Sequence, residues 1–156
     1  MEPVDEHAVR TLSSEDGLGS LGSASAGRRR RSRPPEHLAG QLHQLYRAQV
    51  QSRHLDFAAR WLQRRGEGYY TIGSAGHEAN AALGLLSEAG DPALLHYRSG
   101  GFYTARALTE GTTDGIKDVL RSLTSSIDDP ISGGRHKVFG HHRLGIVPQT
   151  STIGSH

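Results

Sequence analysis

His96-Tyr97-Arg98-Ser99-Gly100-Gly101 follows directly on Asp91-Pro92-Ala93-Leu94-Leu95. The second stretch is a Pro-containing turn leading into a short apolar run, which predicts a buried strand. The first stretch then stands at the carboxyl end of that strand, where open α/β sheets place ligands. Arginine forks two hydrogen bonds onto a phosphate, and tyrosine adds a hydroxyl donor. The two glycines allow close approach of backbone. Tyr97 and Arg98 are therefore candidates for an anion site, with a diphosphate the best fit. Alone, the same residues also spell an ordinary strand-to-helix turn with an exposed arginine.

Upstream, Tyr69-Tyr70-Thr71-Ile72-Gly73-Ser74-Ala75-Gly76-His77-Glu78-Ala79-Asn80 reads as a glycine-rich turn opening a helix, which continues from Ala79 to Leu86. It matches neither G-x-G-x-x-G nor a Walker loop, which needs Lys-Ser/Thr after its last glycine. Ser74 is a candidate cap, and His77-Glu78 reads as structural. The long segment from Glu36 to Arg65 is the clearest helix. Leu38, Leu42, Leu45, Tyr46, Val50, Phe57, Ala58, Trp61 and Leu62 recur at steps of three and four, with a slip near Ser52-Arg53. Pro35 suits its entry and Gly66 its exit. The stripe predicts that Trp61 is buried.

Downstream, two further helices are predicted. One covers Gly101 to Leu108, with Phe102, Ala105 and Leu108 inward. The other covers Asp114 to Ser125, with Ile116, Val119, Leu120 and Leu123 on one face. Asp128-Asp129-Pro130 reads as a turn. Ile131 to His142 has no periodicity and reads as a basic, flexible loop suited to facing an acidic ligand. His141 and His142 lack further ligands at metal-binding spacing. Leu144 to Val147 reads as a second short strand.

Residues 1–35 read as a disordered Gly/Ser/Arg-rich tail. The run Arg28-Arg29-Arg30-Arg31-Ser32-Arg33 is the basis of an alternative function, binding of a nucleic acid or acidic partner. The run has no interleaved aromatics and follows acidic residues, so a solvated basic linker is the preferred reading. The net charge is only +2, which gives no general polyanion signal. There is no cysteine, so disulfides and thiolate metal sites are excluded. No apolar run approaches the length of a membrane span, and a cytoplasmic protein is expected. The hydrophobic fraction of 35% is low for a compact domain, consistent with a tail outside the core.

Several stretches together resemble one family: the α-type subunit of the thiamine-diphosphate-dependent dehydrogenase of 2-oxo acid dehydrogenase complexes, nearest the branched-chain 2-oxoisovalerate type. They are Leu45-Tyr46-Arg47 with Ser52-Arg53, Ile72-Gly-Ser-Ala-Gly-His-Glu78, Leu95-His-Tyr-Arg-Ser-Gly-Gly101, Ser132-Gly-Gly-Arg-His136 and Pro148-Gln-Thr-Ser-Thr152. The resemblance covers residues 37–156. It implies an α/β fold, the N-terminal part of a doubly wound cofactor-binding domain occupying residues 36–156. It implies that Tyr97 and Arg98 hold the diphosphate, and that Ser151 and Ile153 lie beside the aminopyrimidine and thiazolium. Thr150, Thr152 and Ser155 fall where some members bind a structural potassium ion. His141 matches the histidine that assists the chemistry.

The activity implied is oxidative decarboxylation of a 2-oxo acid, with acyl transfer to a lipoyl carrier. The partners implied are a β-type subunit, a lipoyl acyltransferase component and the 2-oxo acid; neither a membrane nor a nucleic acid is among them. The cofactor supplies the carbanion chemistry, and the protein supplies binding, orientation and electrostatics. The family's Gly-Asp-Gly element and later Asn, which hold Mg²⁺, are absent, as is the partner's activating glutamate. The expectation is that these 156 residues are an incomplete fragment, inactive by themselves.

Overall fold

A computed structural model describes residues 35–149 of the chain. The predicted tail, all but Pro35, lies outside the described residues. So do Thr150, Ser151, Thr152, Ile153 and Ser155.

The order of elements is α1 (Glu36–Arg64), a 3₁₀ turn (Glu78–Asn80), α2 (Ala81–Leu86), β1 (Ala93–Leu94), α3 (Gly100–Glu110), α4 (Gly115–Leu123), a second 3₁₀ turn (His142–Leu144) and β2 (Ile146–Val147). β1 and β2 pair in parallel, with Ala93 opposite Ile146 and Leu94 opposite Val147. Parallel neighbours need a crossover, and here it carries α3 and α4. The architecture is therefore helical with a small parallel sheet. Among the described residues, no helix is long and apolar enough to cross a membrane.

The centre of the fold is α3, which packs against α1, α2 and α4. Its seven-residue run Gly101–Ala107 is buried throughout. Small residues make this closeness affordable: a Cβ on Gly84 of α2 would run into the carbonyl oxygen of Phe102. Thr104 Oγ1 donates to the Ala48 carbonyl of α1 at 3.1 Å, fixing the two helices in register. The main core gathers Leu55, Leu95, Phe102, Tyr103, Val119, Leu123, Phe139, Leu144 and Ile146. Asp114 caps α4 by accepting from the Lys117 N–H at 3.0 Å.

Arg106 is the least expected core residue, at 1% exposure. Its guanidinium donates to the Asp91 carbonyl at 2.8 Å, the Leu144 carbonyl at 2.9 Å and the Ser87 hydroxyl. It thus ties α3 to the loop before β1 and to the turn before β2.

Three expectations are corrected. Trp61 is 51% exposed, and Leu38, Leu42, Tyr46 and Phe57 are exposed with it. The face of α1 turned inward instead carries Ala48, Ser52, Leu55, Asp56 and Ala59, again at steps of three and four. The strand expected to be buried is one-sided: Leu95 is buried, while Leu94 is 64% exposed. The segment 131–142 is not an open loop. Asp129 accepts from the N–H groups of Ile131, Ser132 and Gly134, and Val138 and Phe139 enter the interior. Ile116 is also exposed, at the edge of α4's apolar face.

Candidate functional site

The site is built on the Gly73–Ser74 turn, and α1 holds that turn. Ser52 and Asp56 lie four residues apart, so they share one face of α1. Both Asp56 oxygens accept from the Ser74 N–H at 2.9 Å, and Oδ2 also accepts from the Ser74 hydroxyl at 3.1 Å. The Ser52 and Ser74 hydroxyls are 2.7 Å apart. Ser74 therefore anchors the turn and does not cap a helix. Gly73 is required here, because a Cβ would collide with the Asp56 carboxylate. Glu78 accepts from the Gly76 N–H at 2.9 Å, a structural role as expected.

Arg98 hooks onto this turn, donating from its guanidinium to the Gly73 carbonyl at 3.2 Å. The Tyr97 ring lies 5.6 Å from that guanidinium, and the His96 ring lies 3.9 Å from the Tyr97 ring. His77 stacks on His96 at 6.1 Å. The Tyr70 hydroxyl is buried with no hydrogen-bond partner. Burial pushes the Tyr70 phenol above its ordinary pKa, Tyr97 adds to the shift, and Arg98 opposes it.

Lys137 completes the group from the far side. Its ammonium lies 3.7 Å from the Phe139 ring centroid and 5.6 Å from that of Tyr70. It lines a cavity of about 20 Å³ with Ser52, Asp56, Gly73, Ser74 and Tyr97 among the other walls. Burial lowers the Lys137 pKa to about 8, against the pull of Asp56 and Asp129.

His141 belongs to a different group. Its Nε2 is 3.8 Å from Asp118, which accepts from the buried Tyr103 hydroxyl at 3.1 Å. Burial raises the Asp118 pKa, while the Tyr103 hydrogen bond, His141 and Arg121 oppose the rise. His141 Nδ1 is buried without a partner. The histidine lines a second cavity of about 460 Å³, whose apolar walls include Pro92, Ile131, Ile146 and Val147. Neither Tyr97 nor Arg98 is among the residues lining that cavity.

Tyr97 and Arg98 are thus brought together with the glycine turn, and His141 is placed with Asp118. Ser151, Ile153 and the three candidate potassium ligands, Thr150, Thr152 and Ser155, lie outside the described residues, as does the Arg28–Arg33 run. Among the described residues, no three His, Cys, Asp or Glu side chains gather to hold a metal ion. Sequence reasoning did not single out Asp56, Lys137, Tyr103 or Asp118. Asp56 carried one signal: it is the sole carboxylate between His37 and Arg65. Comparison with protein-family models, curated proteins and solved structures returned no match.

Proposed function

We propose that this chain is the α-type part of a thiamine-diphosphate-dependent 2-oxo acid dehydrogenase, in which Tyr97 and Arg98 bind the diphosphate. The observation that carries the reading is the hooked Arg98 guanidinium beside Tyr97, next to the unpartnered Tyr70 hydroxyl. A forked cation and two phenols are the donors that a diphosphate needs. The residues present therefore fit the group. The bound cofactor would supply the carbon nucleophile and the electron sink for decarboxylation. In this reading Arg98 and Tyr97 orient it through its phosphates, and the Asp56-held turn keeps Arg98 in place.

His141 is the candidate proton carrier, oriented through Nε2 by Asp118. The apolar cavity it lines suits a branched side chain, which supports a branched-chain 2-oxo acid. Cofactor Mg²⁺, the β-type subunit and the lipoyl acyltransferase belong to the same proposal.

The test is calorimetry of thiamine diphosphate with Mg²⁺ in the enzyme assembled with a β-type subunit. Arg98→Ala should weaken binding by roughly ten- to more than a hundredfold, equivalent to about 1.5–3 kcal/mol for a charged bidentate contact. Arg98→Lys should recover part of the loss, keeping the charge without the fork. Unchanged affinity in Arg98→Ala removes the assignment.

A further inference from the structure

The chain carries eighteen lysines and arginines, of which only Lys117 and Lys137 are lysines. Everywhere else a permanent guanidinium supplies the positive charge. The difference has chemical meaning, because an amine sheds its proton at accessible pH and a guanidinium does not. Lys117 is exposed on α4, whereas the Lys137 amine is turned inward against Phe139 and Tyr70. The cavity that Lys137 lines has room for one water-sized group. Its walls include Ile72, Gly73 and Tyr97. Arg98 is hooked on Gly73 at the same wall and acts electrostatically on Tyr70, the residue whose ring Lys137 faces.

We propose that Lys137 is a carbonyl-reactive amine that forms an imine with a small 2-oxo acid, whose carboxylate is held at Arg98. A carbonyl oxygen is about the size of group the cavity admits, and Arg98, bound to the Gly73 carbonyl of its wall, is the cation offered to an adjacent carboxylate. The amine nitrogen adds to the carbonyl carbon and the carbon–oxygen bond breaks. The oxygen departs as water with the two amine hydrogens, so no oxidant or reductant enters. The groups facing the amine are Asp56 from α1, Asp129 from the turn after α4, and the phenols of Tyr70 and Tyr97. The two carboxylates favour the ammonium form, and burial outweighs them, leaving the pKa at about 8. At pH 7 such an amine is roughly 10% neutral, against roughly 0.04% for an ordinary lysine. Lower intrinsic nucleophilicity takes back part of that difference, as it does for thiols.

The inference concerns the chain without thiamine diphosphate, when Arg98 holds no phosphate, and its test contains none. The whole chain is incubated with glyoxylate and cyanoborohydride from pH 6 to 10, and the adducts are located by peptide mass mapping. Lys137 should label at least about tenfold faster than Lys117 at pH 7, with a rate that levels off just above pH 8. Lys137→Arg should abolish the fast adduct and leave labelling of Lys117 as it was. Arg98→Gln should slow glyoxylate while leaving formaldehyde, which has no carboxylate, at its original rate. Equal labelling of the two lysines, or a fast adduct persisting in Lys137→Arg, overturns the reactive amine. An Arg98→Gln effect on both reagents, or on neither, overturns the carboxylate contact.

Discussion

Replacing Lys137 by methionine should stabilise the protein at neutral pH, and the gain should vanish in alkali. Methionine keeps the length of the side chain and its contact with Phe139, and removes the buried charge. The lysine pKa falls from an ordinary 10.5 to about 8 in the folded chain, chiefly through burial. Each pH unit of such a difference corresponds to about 1.36 kcal/mol, so the charged form costs the fold on the order of 3 kcal/mol. Partial exposure of the side chain screens some of this, and the lost contact of the ammonium with the aromatic face offsets about 1 kcal/mol more. A net gain on the order of 1–2 kcal/mol remains. Below pH 8 both folded and unfolded lysine are protonated, and the whole penalty is present. Between pH 8 and 10.5 the unfolded chain holds the proton that the folded chain has released, so wild-type stability rises with pH. Urea unfolding of both proteins at pH 6, 7, 8, 9 and 10 measures the difference. A gain that is constant with pH, or that grows towards pH 10, refutes the reasoning.

Arg106→Met should cost about 3–5 kcal/mol, because it strands the Asp91 and Leu144 carbonyls and takes the guanidinium from the half-buried Ser87 hydroxyl; a loss under about 1 kcal/mol in denaturant titration would show that water replaces it. Trp61→Ala should cost at most about 1 kcal/mol, since the ring is half exposed with Arg65 over it, where burial would have made the cost about 3–5 kcal/mol. The indole, the single tryptophan of the chain, should emit at the wavelength of a solvated ring, and a strongly blue-shifted band would contradict its placement.

The helices and the positions of the two short strands were legible because periodicity and turn residues report local structure directly, whereas the parallel pairing of the strands is a long-range contact that neither reports. The Tyr97-Arg98 position at the start of α3 was legible for the same reason, since two glycines after a short apolar run mark the strand-to-helix turn. The inward face of α1 was not. Both faces of that helix carry apolar residues, and the bulkier set, Leu42, Tyr46, Phe57 and Trp61, turned outward. The choice went to Ala48 and Ala59, whose small side chains let α1 settle closely on the core, and to Ser52 and Asp56, which need Ser74. Hydrophobicity counts the area a side chain offers and is blind to the partner that a polar neighbour requires. Lys137 was invisible for another reason. The segment around it has no period, and its burial comes from Asp129 folding the preceding residues into a turn.

The placement of Lys137 argues that stability was not what selected it. A half-buried cation that methionine is expected to outperform is a local violation of core chemistry, and such violations concentrate at functional sites. A purely structural need for positive charge near Asp56 is already met by Arg53, which contacts that carboxylate at 3.4 Å from the helix surface. Among the described residues the ammonium has no ion-pair partner, and it leans on two aromatic rings instead. What a lysine offers there and an arginine does not is a lone pair near neutral pH. The stabilisation by Lys137→Met and the fast labelling of Lys137 therefore have one cause, the lowered proton affinity of this amine. The stability gain should begin to fade near pH 8, where the labelling rate has its midpoint, and should be halved at about pH 9, midway between the folded and unfolded pKa values. A gain that begins to fade more than about one pH unit away from the labelling midpoint would mean that burial and reactivity belong to different conformations of the 131–142 segment.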